Sequence, residues 1–141
     1  MSRVYWDTML FIYLLEGHPT FYARTNHLLK RAYARGDSLY SSYLALGEIT
    51  AGAAKSSDPA SVLTIRSTLD EMGFSFLPFD ERAVQPFGRL RAQTKLRIAD
   101  SIHLACAAAA GMDLFLTGDL QLVGLYVPGI QFIADFNTPV I

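Results

Sequence analysis

The 141-residue chain has one cysteine, Cys106, so no internal disulfide can form. No pair of Cys or His has the spacing of a zinc site. The cysteine lies in "HLACAAAAG", which reads as helix interior, and a buried inert thiol explains it better than a nucleophile. No glycine-rich phosphate loop appears, which argues against the α/β phosphoryl-transfer folds that depend on one. A basic excess is lacking too: 12 Lys and Arg stand against 13 Asp and Glu, for a net charge of −1. That excludes a generally basic nucleic-acid coat but leaves room for a local basic surface. Long hydrophobic runs are absent. The longest early one, Met9 to Leu15, has seven residues, far short of the ~20 that a membrane span needs. Asp7 precedes it and "EGHPT" follows, without the small-residue cleavage site of a secretory leader. An intracellular, cytoplasmic protein with no membrane association is expected.

Hydrophobic residues make up 51% of the chain and charged residues 18%, the balance of a packed globule rather than a disordered segment. The length suits one domain spanning residues 1–141, and no internal repeat, low-complexity tract or linker interrupts it. Short apolar strands alternate with longer helical patterns, which predicts an α/β fold with a central, mostly parallel sheet of four to five strands. "RVYW", "SLYS", "FSFLP", "DLFLT" and "IQFI" are the strand candidates. Phe21, Leu28, Leu29 and Ala32 make one face of a helix whose other face carries Arg24, Arg31 and Arg35, and Gly36 ends it. Ser42 is a candidate cap for a helix through Ala54. Asp58-Pro59 reads as the start of another, with Val62, Ile65, Leu69 and Met72 as its buried stripe. Asp80 is a candidate cap, but Pro86 conflicts with a helix begun there, so the expected helix runs from about Pro86 to about Thr94. Ile98, Ile102, Ala105 and Ala109 mark a further helix face, stopped by Gly111.

A lone Asp or Glu is usually a cap or a solvated charge. Four acids here fall differently. Asp7 ends the first strand, Glu48 lies about two turns into the helix after the second, and Asp119 follows the fourth strand after Thr117-Gly118. In parallel α/β sheets binding sites form outside the carboxyl ends of the strands. Asp100 sits in the first turn of the helix that leads into the fourth strand. That helix starts on the same edge, where its dipole favours a carboxylate. Carboxylates gathered in one cleft repel each other, and a divalent cation removes that penalty. Oxygen-only ligation favours Mg²⁺ or Mn²⁺ over zinc. Such an ion can polarise a phosphodiester and activate a water.

The segments "VYWDTMLFIYLLEG", "SSYLALGEI" around Glu48, and "RIADSIHLACAAAAGMDLFLTGD" from Arg97 to Asp119 occur in that order, followed by a closing strand. In this the sequence resembles PIN domains, and within them the small VapC-type toxins of toxin–antitoxin pairs. The resemblance implies a three-layer α/β/α sandwich and a Mg²⁺- or Mn²⁺-dependent endoribonuclease. It further implies a homodimer and a cognate antitoxin that blocks the site, often with a basic residue near the acids. Asp7 and Asp100 would be the principal metal ligands, with Glu48 and Asp119 completing the pocket. Thr117 would orient a carboxylate or water beside the last acid, and Thr8 is a second such candidate beside the first. Two departures are visible: Met9 stands where the family often has Asn or Ser, and Gly118 where it often has Asn or Arg.

Other residues admit two readings. His103, three residues after Asp100, can approach the pocket, and a supporting role explains it better than a general base. Arg89, Arg91, Lys95 and Arg97 fall within nine residues free of acids. They are candidate RNA-phosphate contacts or simply a solvated face. Trp6, Tyr40 and Tyr43 are candidates for base stacking, though core packing is the commoner fate of aromatics beside strands. His18 and His27 have no evident chemical partner. Asp37, Asp58, Asp70, Glu71, Asp80 and Glu81 read as turns, caps and solvated faces. The apolar early helices are core or a groove for a partner helix. Two rival functions remain open: an RNA-processing nuclease of the same fold without an antitoxin, and a non-catalytic binding module.

Overall fold

The computed structural model describes residues 1–55 and 60–138. In chain order the elements are β1 (Arg3–Trp6), α1 (Thr8–Leu15), α2 (Tyr22–Arg35), β2 (Ser38–Ser42), α3 (Tyr43–Ala54), α4 (Ala60–Glu71), β3 (Phe74–Leu77), α5 (Glu81–Gln93), α6 (Ile98–Ala110), β4 (Met112–Thr117) and β5 (Ile130–Asp135). The strands form one sheet in the order β3-β2-β1-β4-β5, and every neighbouring pair is parallel. The expected three-layer α/β/α sandwich is what the chain forms.

Alternation along the strands builds the layers. Val4 and Trp6 of β1 face a core that also holds Leu10 and Phe11 of α1, Leu28 and Leu29 of α2, and Ile65 and Leu69 of α4. Tyr5 points the other way, into a second core with Leu90 of α5 and with Leu104 and Ala107 of α6. A strand buried on both faces has no polar side to present, which is why β1 reads as a continuous apolar run. Tyr5 stacks on Phe115 of β4 with ring centroids 4.7 Å apart.

Local signals fix most element ends. Gly36 takes a left-handed φ of 69° and closes α2 through its N–H to the carbonyls of Ala32 and Tyr33. The Ser42 side chain caps α3 by accepting from the Ala45 N–H. Gly129, before β5, is required by space: a Cβ there would stand 2.3 Å from the Ala108 carbonyl oxygen. The expected start of α4 at Asp58-Pro59 lies outside the described residues. Val62 and Met72 of its stripe are half-buried, and Ile65 and Leu69 are buried.

Three sequence expectations need correction. α5 begins at the Asp80 cap, whose Oδ1 accepts from the Arg82 N–H at 3.1 Å, and Pro86 lies inside it. The proline forfeits the bond to the Arg82 carbonyl, but Arg82 is exposed and water can take that acceptor. Ala83 and Leu90, buried on either side of the proline, hold the helix together. Arg24 does not share the solvated face of α2; its guanidinium donates to the carbonyls of Phe136 and Thr138. Finally, α6 is not a one-faced helix. Ile98 is exposed, while every residue from Leu104 to Ala108 is buried. Small side chains let α6 sink between α5 and the sheet. Cys106 lies there, and burial pushes its thiol up to about 11.

Candidate active site

The seam between β1 and β4 is the point where the strand order reverses direction, and the chain's acids gather at its carboxyl end. Asp7 is delivered by the ladder itself, since its N–H donates to the Leu116 carbonyl at 3.0 Å. It then caps α1, with Oδ1 accepting from the Thr8 N–H at 2.8 Å. Asp119 comes two residues after β4 and makes a turn by accepting from the Gln121 N–H at 2.9 Å. Glu48 stands midway along α3 and Asp100 in the first turn of α6. All four line one cleft of about 610 Å³. Asp7 is 9% exposed and Asp100 6%, whereas Glu48 and Asp119 are half-buried.

Each acid is pinned by a neighbour. The Thr117 hydroxyl, fully buried, donates to Asp7 Oδ2 at 2.8 Å and accepts from the Asp119 N–H at 3.0 Å. One side chain thus ties the first acid to the last. Across the cleft Thr8 donates to Glu48 Oε1 at 2.7 Å, and His103 Nε2 lies 2.8 Å from the same oxygen. The His103 bond holds the Glu48 carboxyl below the ordinary glutamate range. Burial opposes that shift, while Thr8 and the charge of Arg97 reinforce it.

His103 is buried, and its Nδ1 lies 2.7 Å from the Tyr5 hydroxyl. Nε2 faces the Glu48 carboxylate, which can only accept, so the proton on that nitrogen is assigned there, and Nδ1 is placed to accept from the tyrosine. Burial pushes the Tyr5 phenol well above its ordinary value, so it remains a donor. Ser42 Oγ stands 3.5 Å from Nδ1 at the margin of this chain of contacts. Among the described residues no buried side-chain N or O lacks a partner.

Arg97 is the one positive side chain among the described residues lining the cleft. Its Nε lies 3.1 Å from Asp100 Oδ2 and its Nη2 3.5 Å from Oδ1. The Asp100 carboxylate raises the guanidinium above its ordinary value, with smaller contributions from Asp119 and Asp7. The donors fit a hard divalent cation in kind, being four carboxylates around one cleft with two of them buried. Among the described residues, however, no three His, Cys, Asp or Glu side chains stand together as a closed ligand set. Hydrogen-bond donors and Arg97 engage the carboxylates instead.

The remaining sequence candidates lie elsewhere. Arg89, Arg91 and Lys95 are exposed and do not line the cleft. Their run with Arg97 is split when α5 ends at Gln93, and Arg91 instead donates to the Leu96 carbonyl. Trp6 is core, packed against Phe11 and Phe74. Tyr40 lies under the Arg3 guanidinium, and Tyr43 sits beside Phe76 and Arg66. None of the three reaches the cleft. His18 has a partner that its sequence context hides: its Nδ1 accepts from the N–H groups of Thr20 and Phe21 at the start of α2. His27 is exposed. Asp37 is more than a solvated charge, being a buried side chain paired with the Met1 ammonium and Arg35.

Sequence reasoning missed Tyr5. The available signal was a tyrosine inside an apolar strand, whose buried hydroxyl requires a partner, together with a histidine on a helix of small apolar residues. At Gly118 a Cβ would lie 3.3 Å from the Phe136 ring, a tight contact that a small shift of the ring relieves. Met9 stands at the cleft mouth, 42% exposed, and contributes an apolar wall.

Comparison with known proteins adds three findings. A family profile described as PIN domain matches residues 4–126. A search of curated protein sequences finds no match. Among solved structures, the chain resembles one in a DNA-bound VapBC from Salmonella typhimurium, with TM-score 0.74, 23% identity, and coverage of 96% of this chain and 99% of that one. A chain of VapBC2 from Rickettsia felis, bound to a DNA fragment from its promoter, gives TM-score 0.72 at 17% identity, covering 94% and 97%. A toxin–antitoxin complex from Klebsiella pneumoniae gives 0.65 at 21%, covering 92% and 95%. At these identities the structural likeness speaks to the fold.

Proposed function

Since the chain belongs to the PIN domain family, we propose that it is a Mg²⁺- or Mn²⁺-dependent endoribonuclease, the VapC-type toxin of a toxin–antitoxin pair. The observation that carries this reading is the convergence of Asp7, Glu48, Asp100 and Asp119 on one cleft at the β1–β4 seam. The whole chain acts as one nuclease domain in the cytoplasm, as a homodimer, and a cognate antitoxin blocks the cleft. Its structural neighbours, which come from complexes of this kind, support the partner.

In this reading Asp7 and Asp100 hold the cation, and Glu48 and Asp119 complete the acidic wall. When bound, Mg²⁺ or Mn²⁺ supplies positive charge for the phosphodiester and a water of lowered pKa. The protein's own part is orientation. Thr117 sets Asp7 against Asp119, while Thr8 and His103 set Glu48. Tyr5, donating to the far side of His103, fixes the ring that holds Glu48. Arg97 at the rim is the cation available to an RNA phosphate, and such a contact positions the strand without reading its sequence.

An RNA cleavage assay on the purified protein with Mg²⁺ or Mn²⁺ tests this directly. Cutting by the wild type is expected to fall to background in Asp7→Asn and in Asp100→Asn, with melting curves that still show a folded protein. Undiminished cutting in both variants would place the chemistry elsewhere. Growth arrest on expression that depends on Asp7 separates a toxin from an RNA-processing nuclease of the same fold. A short neighbouring reading frame encoding a small DNA-binding protein points the same way. A non-catalytic module is disfavoured because all four acids and their supporting hydroxyls are present.

A further inference from the structure

We propose that Arg97 is a built-in counter-ion of the acidic cleft, and that a divalent cation gains Asp100 only by displacing its guanidinium. The inference rests on the metal reading above and concerns what sets the affinity of that site.

Both oxygens of Asp100 face Arg97, through Nε at 3.1 Å and Nη2 at 3.5 Å. These are the oxygens a cation needs. The two partners differ sharply in freedom. The Asp100 side chain is 9% exposed and sits in the first turn of a helix buried on nearly every side, so it cannot turn away. The Arg97 side chain is 78% exposed and occupies the N-cap position, where it makes no capping hydrogen bond. It can swing into solvent on its flexible stem without disturbing the core. Charge points the same way. Among the described residues Arg97 is the only Lys or Arg lining the cleft, and its guanidinium is favoured by Asp119 and Asp7 as well as by Asp100.

Four acids around one cleft need positive charge in the resting state. Arg97 supplies one such charge and is held loosely enough to leave. An exposed ion pair of this kind is weak and screened by solvent, so the expected handicap on metal binding is small, about fivefold in affinity. The resting cleft thereby carries one compensating positive charge, which it gives up to an ion that brings two.

Calorimetric titration of Mn²⁺ into the full chain decides the matter, with the Mn²⁺-induced shift in melting temperature as a second readout. Arg97→Met removes the charge and keeps the apolar stem; it is expected to bind Mn²⁺ about fivefold more tightly than wild type and to gain a larger thermal shift. Asp100→Asn, tested alongside, is expected to bind weakly. Equal or weaker binding by Arg97→Met, with clear binding by wild type, overturns the counter-ion role and leaves the metal reading standing. Binding by neither wild type nor Arg97→Met overturns the metal reading together with this inference. Binding by Arg97→Met alone supports the inference in its strongest form.

Discussion

Replacing Thr117 with valine tests whether one hydroxyl organises the acidic cleft. The shape is retained and only the hydroxyl is lost. Thr117 is fully buried, and its hydroxyl reaches Asp7 Oδ2 at 2.8 Å while accepting from the Asp119 N–H at 3.0 Å. Asp119 is half-buried, so water can take over its N–H. Asp7 is only 9% exposed at the cleft wall, so water replaces the lost donor poorly. A hydrogen bond to a charged group contributes about 1.5–3 kcal/mol net, with the larger figure applying when the acceptor is left buried and unpaired. The expected loss is therefore about 2–3 kcal/mol, or roughly 8 °C in melting temperature for a chain of this size. Urea unfolding with an unchanged m-value measures it. Thr117→Ser keeps the hydroxyl and loses one methyl group, at a cost of about 1 kcal/mol. The order wild type, serine, valine is thus fixed in advance. A valine variant within about 0.5 kcal/mol of wild type, or a serine variant less stable than valine, would refute the argument.

Two further predictions concern α6. His103→Leu takes from the buried Tyr5 hydroxyl its acceptor at 2.7 Å, leaving it only Ser42 and Ser41, and removes a donor from Glu48, at an expected cost of about 1–3 kcal/mol; adding Tyr5→Phe should recover part of it, and unfolding energies that simply add across the cycle would count against the coupling. Burial raises the Cys106 thiol from 9.0 to about 11, so the folded state resists ionisation that the unfolded state allows. The stability this contributes is complete below about pH 9 and is lost as the pH rises toward about 11; wild type should lose more stability than Cys106→Ala over that window, and native thiol at pH 8 should resist a disulfide reagent until the protein unfolds.

Much of the fold was legible because short-range physics wrote it. Strand runs buried on both faces, the Ser42 cap and Gly36 each act within a few residues. α5 was misjudged because its proline was weighed without Leu90 and Ala83, whose burial outweighs a single lost hydrogen bond in an exposed first turn. The stripe assigned to α6 failed for a related reason: periodicity assumes a wet face, and a helix made of alanine has none when it is wedged between α5 and the sheet. At the cleft, the acids could be placed by asking which elements end at one sheet edge. Their supporting contacts could not, since Tyr5 to His103 and Thr117 to Asp7 span 98 and 110 residues and depend on register. The basic run misled by proximity in sequence, because a helix end between Arg91 and Arg97 sends them to different places.

The pairing of β1 with β4 also has a temporal side. Val4 lies beside Leu114, and Asp7 takes its ladder bond from Leu116, so the two walls of the cleft come from opposite ends of the chain. During synthesis at about 5–20 residues per second, Asp7 leaves the ribosome roughly ten seconds or so before its partners. Until β4 is made and pairs with β1, neither the lock on Asp7 nor the acid at 119 exists. The half-made chain carries a bare strand edge and an incomplete set of acids.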